Sequence, residues 1–261
     1  MNDESALPFV APCIALPPSA PFEWLQRGWR DLRAAPIPSL LYGTLLALLS
    51  ALVAALAWRL GMLALYLGLA SGFVFIGPFL AMGLYSISYQ LEAGRKPTLS
   101  FSVYEGRTHL RETMVLGVCL FVVLLVWARA ATIMNVFRPS YAVPNWRDMV
   151  PYFGIGSVVG AGFAALVFAA SAFSLPMLLD RRCDAITAVV TSVNATLRNR
   201  RAMMVWGAIV VGCVLLGFAT LFLGFVVLMP WLGHATWHAY RATVDASAWP
   251  PTHDATPIPN D

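Results

Sequence analysis

Charged side chains are scarce in this chain, and their scarcity excludes most classes of soluble protein. Only 11% of the 261 residues are Asp, Glu, Lys or Arg, whereas 59% are hydrophobic. A soluble domain carries roughly a quarter charged residues. The composition therefore predicts an integral membrane protein. The formal net charge of +4 suits anionic lipid headgroups and does not call for nucleic acid as a partner.

Cysteine motifs and a cleavable signal peptide are also missing. The four cysteines, at positions 13, 119, 183 and 213, lack the paired spacing of zinc or redox sites. The chain starts MNDESALPFVAPC, which is acidic and interrupted by prolines. A signal peptide needs a basic start followed by an unbroken apolar run, so we expect no cleaved leader.

The residues that carry catalysis or ion coupling are absent from the apolar stretches. Five stretches contain no Asp, Glu, Lys, Arg or His: residues 36–58, 60–91, 113–128, 150–179 and 202–233. Proton-coupled transporters place an ionisable group inside the bundle. The sequence also shows no nucleophile–base pair, phosphate loop or metal cluster. We therefore predict a non-enzymatic protein with no catalytic residue and no metal site.

The length of these stretches predicts an all-α protein of about six transmembrane helices. A helix crosses about 30 Å of hydrocarbon with about 20 residues. The last stretch, extended to residue 240, predicts two short spans with a turn near residues 217–224. One very long final helix, giving five spans, is the alternative. The predicted spans are residues 37–57, 62–90, 113–134, 152–179, 202–219 and 222–240.

An amphipathic segment precedes each pair of spans and predicts three pseudo-repeats of one amphipathic helix plus two spans. The predicted surface helices are residues 22–34, 100–112 and 184–200. The first carries an apolar stripe of Phe22, Leu25, Trp29 and Leu32. The third carries Ile186, Val189, Val190, Val193 and Leu197, opposite Thr187, Thr191 and Asn194. We expect these helices to lie on the inner membrane surface.

The membrane domain is 22–244, between a flexible tail at 1–21 and a disordered tail at 245–261.

Basic residues predict the orientation, because they accumulate on the cytoplasmic side of a membrane. In the predicted bundle, most of the 17 lysines and arginines fall in segments on the same side of the membrane as the amino terminus. Only Arg59, Arg129, Arg138 and Arg147 fall in the opposite segments. We predict a multi-pass protein of a bacterial inner membrane, with both termini cytoplasmic.

Glycines and prolines in the spans predict helix packing and kinks. Gly68 and Gly72, and likewise Gly156 and Gly160, have the spacing that lets helix backbones approach closely. Packing within the bundle is the first interpretation, and self-association is the second. Pro78, Pro176 and Pro230 predict kinks whose freed backbone groups are satisfied locally. The alternative is that they open carbonyls toward a solute.

Histidine offers the only candidates for a cofactor. His234 and His238 share one face of the last span, and His109 is the remaining candidate. The four-residue spacing can bind a metal or supply haem ligands. The other interpretation places the pair beside Trp231, Trp237 and Tyr240 in an aromatic belt at the interface. We expect no cofactor.

Three strings carry a family resemblance: FEWLQRGWRDLRAAPIPSLLYG, IGPFLAMGLYSISYQLEAG and MPWLGHATWHAYR. They resemble an uncharacterised family of bacterial integral membrane proteins, some members of which carry the label cytochrome c oxidase subunit I. A haem–copper catalytic subunit resembles a bundle of about a dozen spans with several internal histidines. This chain has too few of both to be that subunit. The resemblance implies no functional residues.

Our leading hypothesis is a non-enzymatic accessory, assembly or scaffold protein, with membrane lipids and other inner-membrane proteins, such as a respiratory complex, as partners. The first alternative is a channel or transporter for a neutral or lipid-like solute. The second is a haem- or metal-binding subunit that uses His234 and His238.

Overall fold

The computed structural model describes residues 8–60, 80–134 and 146–252, and this part of the chain is helical, as predicted. Its only β contacts are two isolated bridges, Cys13 with Val244 and Arg181 with Pro251. The helices are α1 (Ala20–Ala34), α2 (Pro36–Leu60), α3 (described over 80–92), α4 (Leu99–Thr108), α5 (Leu110–Met134), α6 (Trp146–Ser171), α7 (Ser174–Asp180), α8 (Ala185–Arg198), α9 (Arg200–Ala219) and α10 (Phe225–Thr243).

Four stretches of the described helices are long and apolar enough to cross a membrane. They are Pro36–Leu56, Leu110–Ile133, Val150–Asp180 and Arg200–Ala219. These match the first, third, fourth and fifth predicted spans. The second, 62–90, lies outside the described residues except for α3, and α10 is not among the four. An integral membrane protein with several membrane-length helices is thus confirmed, while six spans and the pseudo-repeats stay predictions.

The long last stretch folds as two helices. Helix α9 ends at Ala219 and α10 begins at Phe225, so the alternative of one very long helix is wrong. Leu221 and Phe222 adopt positive φ angles of 51° and 70° in the connecting turn. Phe218, Phe222 and Phe225 pack together there, with ring centroids 5.6–5.9 Å apart.

The predicted span 152–179 is broken near its end. Helix α6 stops at Ser171 and α7 starts at Ser174. The Ser192 hydroxyl of α8 bridges the break: it accepts a hydrogen bond from the Phe173 amide (3.0 Å) and donates one to the Ala169 carbonyl (2.7 Å). Backbone groups freed by the break therefore find a partner inside the protein. The proline predicted to kink this span, Pro176, is buried in α7.

Helix α10 is the centre of the packing and contacts α1, α2, α7 and α9. It runs antiparallel to α2, since Ser39 lies beside His234 and Gly43 beside Val226. Two glycines allow the close approach. A Cβ at Gly28 would lie 2.6 Å from the Ala235 nitrogen, and one at Gly43 would lie 2.0 Å from the Val226 carbonyl oxygen.

The tails predicted at 1–21 and 245–261 are ordered wherever the structure describes them. The Ile14 amide donates to the Thr243 carbonyl (2.9 Å), and the Asp245 amide donates to the Pro12 carbonyl (2.9 Å). The Thr252 amide donates to the Asp180 carbonyl (3.0 Å). These backbone hydrogen bonds do not favour flexibility or disorder at residues 8–19 and 245–252, and the character of the tails stays a prediction. Residues 1–7 and 253–261 lie outside the described residues.

Two of the predicted surface helices correspond to α1 and α8, and their placement on the membrane surface stays a prediction. Helix α1 buries Trp24, Gly28 and Leu32, while Phe22, which was predicted in the stripe, is 62% exposed. Helix α8 buries its small and hydroxyl side chains, and Ile186 and Leu197 of its apolar stripe are exposed. The remaining predicted surface helix, 100–112, corresponds to α4. This helix ends at Thr108, and α5 begins two residues later.

Gly43→Ala is expected to destabilise the protein by about 1–3 kcal/mol, the usual cost of overpacking. Gly212→Ala is the matched control, because a Cβ there meets nothing within 4 Å among the described residues. Both changes improve helix propensity equally, by about 0.5–1 kcal/mol. Thermal unfolding in detergent compares them, and equal melting points would contradict a tight contact between α2 and α10.

Candidate functional site

His234 is a fully buried side chain that joins three helices. Its exposure is 0%, and its Nε2 lies 2.9 Å from the Ser39 hydroxyl of α2. Its Nδ1 lies 2.8 Å from the Ser88 hydroxyl of α3. A neutral imidazole donates through one ring nitrogen and accepts through the other, and a serine hydroxyl can take either role. The histidine thus forms a neutral polar link between α2, α3 and α10.

His238, one turn further along α10, has a separate partner. Its Nε2 lies 2.8 Å from Asp31 Oδ2 of α1. The two histidines therefore do not converge on one space, and an iron or zinc at either Nε2 would have to displace a hydrogen bond. No group of three metal-ligating side chains is assembled within 8–60, 80–134 and 146–252. Cofactor binding by the pair stays an alternative hypothesis, and these contacts do not favour it.

A carboxylate cluster lies beyond His238 and consists of Glu92, Asp180, Arg181, Tyr240 and Arg241. Asp180 Oδ2 accepts from the Tyr240 hydroxyl (2.7 Å) and Arg181 Nε (3.0 Å), and lies 3.5 Å from Arg241 Nη1. Glu92 binds Arg241 Nη2 at 3.0 Å and also accepts a hydrogen bond from the indole of Trp237 (2.8 Å). The cluster ties α3, α7 and α10 together.

Sequence reasoning missed this cluster, although a signal was present. Glu92 and Asp180 are the first charged residues after the apolar stretches 60–91 and 150–179. An acidic residue at that position is able to pair with a basic residue at the end of a neighbouring helix. Arg241 occupies such an end on α10. Its partners lie 149 and 61 positions away along the chain, so the pairing could not be read from local spacing.

His109 lines an open cavity of about 560 Å³ at the same end of the bundle. Carboxylates in the cavity wall hold the start of α8: the Ala185 amide donates to Glu112 Oε2 (3.1 Å), and Asp184 caps the Thr187 amide (2.9 Å). The remaining lining comes from the amino-terminal segment, α7, the α7–α8 connection and the carboxy-terminal segment: Pro8, Phe9, Leu178, Arg181, Arg182, Cys183, Thr187 and Trp249.

Two groups in this wall have shifted acidity. Burial raises the pKa of the Cys183 thiol to about 12, which keeps it protonated and unreactive at neutral pH. Partial burial alone would raise the pKa of the Asp184 carboxyl, but hydrogen bonds from the Thr187 amide and hydroxyl bring it below its ordinary value. The Asp184 cap is thus ionised at neutral pH and loses its contribution to stability as the pH falls through that lowered pKa.

The predicted packing glycines and kink prolines have different environments. A Cβ at Gly156 or Gly160 would meet nothing within 4 Å among the described residues, so the helix packing predicted for these two glycines stays a prediction. Pro230 is buried in α10, and its Cδ would lie 3.0 Å from a Cβ at Gly43. Gly68, Gly72 and Pro78 lie outside the described residues.

Comparison with known families gives one match. Residues 65–180 match the model of a family described as Predicted integral membrane protein (DUF2189). The match confirms the predicted resemblance to an uncharacterised family of integral membrane proteins, and its description contains no oxidase label. The DUF2189 segment includes Glu92, His109 and Asp180 and stops before α8, α9 and α10. No curated protein and no solved structure matches the chain.

His234→Leu is expected to destabilise the protein by about 1–3 kcal/mol, because the buried Ser88 hydroxyl loses its His234 partner. Changing Ser39 and Ser88 to Ala in the same chain should restore part of that loss, since an apolar replacement of both partners is nearly neutral. Thr236→Ala is the control, because its hydroxyl donates to the Leu232 carbonyl of its own helix and links no other described helix. If the loss of melting temperature in the combined variant equals the sum of the losses from His234→Leu alone and from the two serine changes alone, the link between these side chains is contradicted.

Asp180→Asn is expected to cost about 1.5–3 kcal/mol, the usual contribution of a hydrogen bond to a charged group. Arg181 loses its ion pair, while Arg241 keeps Glu92. Asp245→Asn provides the control, because the Asp245 carboxylate is exposed and accepts a hydrogen bond from the amide of the nearby Ser247. Thermal unfolding at low and high salt measures both variants. Equal stability of the two would show that the carboxylate cluster is not structural.

Proposed function

We propose that this protein is a non-enzymatic scaffold or assembly protein of a bacterial inner membrane, with both termini in the cytoplasm. The proposal rests on one observation: polar side chains of α10 form hydrogen bonds to other helices. Three of them, His234, Trp237 and His238, bind α2, α3 or α1 at 2.8–2.9 Å. Tyr240 and Arg241 complete the set through Asp180 and Glu92. These side chains hold the helices in one arrangement, which is what a scaffold requires.

The same contacts favour a scaffold over transport. A solute pathway needs polar groups that face a lumen and exchange partners with the solute. Here the buried imidazole of His234 faces two serine hydroxyls, and the break between α6 and α7 is closed by Ser192. A channel for a neutral or lipid-like solute is the alternative hypothesis, and flux of such solutes into liposomes tests it directly.

The proposed orientation is supported by the position of the exposed arginines. Arg27, Arg30 and Arg33 of α1 are exposed near the start of α2, and Arg198, Arg200 and Arg201 are exposed near the start of α9. Both candidate spans therefore begin at a basic surface, which is typical of a cytoplasmic face.

Gentle extraction from native membranes, followed by an absorption spectrum and mass spectrometry, tests the scaffold proposal. We expect at least one inner-membrane protein to copurify at constant stoichiometry, and a respiratory subunit among the copurifying proteins would identify the complex served. The His234→Leu variant separates cofactor from scaffold: a Soret band that disappears in the variant would favour the haem hypothesis. A solitary, colourless protein that passes neutral solutes would contradict the proposal and favour transport.

A further inference from the structure

A water-soluble amphipathic helix turns its apolar side toward the protein, whereas α8 turns its small and hydroxyl side chains toward the protein and its apolar side outward. Its protein-facing side consists of Ala185, Thr187, Ala188, Thr191, Ser192 and Ala195, all buried. Its other side is the α8 face, defined here as Ile186, Val190, Val193 and Leu197. These positions follow the i, i+4, i+7, i+11 spacing of one helical stripe.

The α8 face is open among the described residues. Ile186 is 61% exposed and Leu197 is 53% exposed, while Val190 and Val193 are half-buried. A contiguous exposed apolar stripe is unfavourable in water and marks an interaction surface. The opposite side cannot turn outward instead, because the Ser192 hydroxyl closes the α6–α7 break and the Thr191 hydroxyl accepts from the Ala11 amide (3.1 Å).

Two features of the chain place α8 at a membrane surface. One candidate span ends at Asp180, and the next begins at Arg200, so α8 connects the two where they emerge from the bilayer. The charges beside the stripe have one predominant sign. Arg198, Arg200 and Arg201 are exposed at its carboxy-terminal end, and no acidic residue occurs from position 185 to 201.

We propose that α8 lies in the membrane interface, with the α8 face among the acyl chains and the flanking arginines on the phosphates of anionic phospholipids. Apolar burial in the headgroup boundary combined with attraction to anionic lipid is the binding mode of interfacial helices. The inference does not depend on the scaffold proposal, since a transporter could carry the same interfacial helix.

Spin labels report the depth of the α8 face in the full chain. The parent has its four cysteines changed to Ala and is reconstituted in phosphatidylcholine vesicles containing phosphatidylglycerol. Val190→Cys carries the label, and two reference sites bracket it. Val211→Cys lies within the candidate span Arg200–Ala219 and is 58% exposed, and Ser247→Cys lies in the exposed carboxy-terminal segment.

We expect the label at position 190 to collide with oxygen less often than the mid-span label at 211 but more often than the label at 247, and to collide with a water-soluble nickel chelate much less often than the label at 247. Behaviour like position 247 would overturn the proposal, because the face would then be in water. Low collision with both reagents would also overturn it, because a protein surface would then cover the face.

Lipid retention tests the arginines in the chain with its native cysteines, so the inference remains testable if the cysteine-free parent does not fold. Arg198→Gln with Arg201→Gln should lower phosphatidylglycerol retention about 25-fold, given roughly a fivefold effect for each of the two basic residues near an anionic surface. Arg59→Gln with Arg129→Gln is the charge-matched control near the far ends of α2 and α5. Equal retention in the two double variants would overturn the anionic-lipid part.

Discussion

The structure depends on satisfying polar groups within a largely apolar bundle. An unpaired polar side chain in an apolar interior costs several kcal/mol, so the buried polar side chains of α10 need hydrogen-bond partners, and several of these partners come from other helices. His234 meets two serines, Trp237 meets Glu92, and His238 meets Asp31. These bonds are directional, whereas apolar contact between helices is not. They therefore determine which helices surround α10 and how far along it each one sits.

Much of the helical architecture could be predicted from the sequence, because each span is a local property of composition. The uncharged stretches predicted the four candidate spans, in α2, α5, α6 with α7, and α9, to within a few residues, and the turn before α10 was placed correctly. The break between α6 and α7 was not predicted as a break, because it is completed by Ser192, a residue of a different helix. Hydropathy averages over a window and does not register one inserted hydroxyl.

The faces that α1 and α8 bury against the protein could not be predicted from their apolar stripes alone, for a physical reason. An apolar stripe points to the protein interior only when the other side of the helix faces water. For α8 the interior is lined by backbone and hydroxyl groups that need hydrogen bonds, so Thr191 and Ser192 turn inward and Ile186 turns outward. The candidate site followed the same pattern: the histidines were visible as residues, while their partners Ser39, Ser88 and Asp31 belong to helices far away in the chain.

The pairing of α1 with α10 also sets an order on assembly. Helix α1 lies near the start of the chain, and its principal neighbour begins at Phe225. Strand-like pairing of Cys13 with Val244 closes the same loop. During synthesis, the buried face of α1, which consists of Trp24, Gly28 and Leu32, therefore stays without its principal neighbour until nearly the whole chain has been made. Contacts between residues so distant in sequence form slowly and leave intermediates with exposed apolar surface. The last helix that the structure describes is therefore the one that completes the packing of the first.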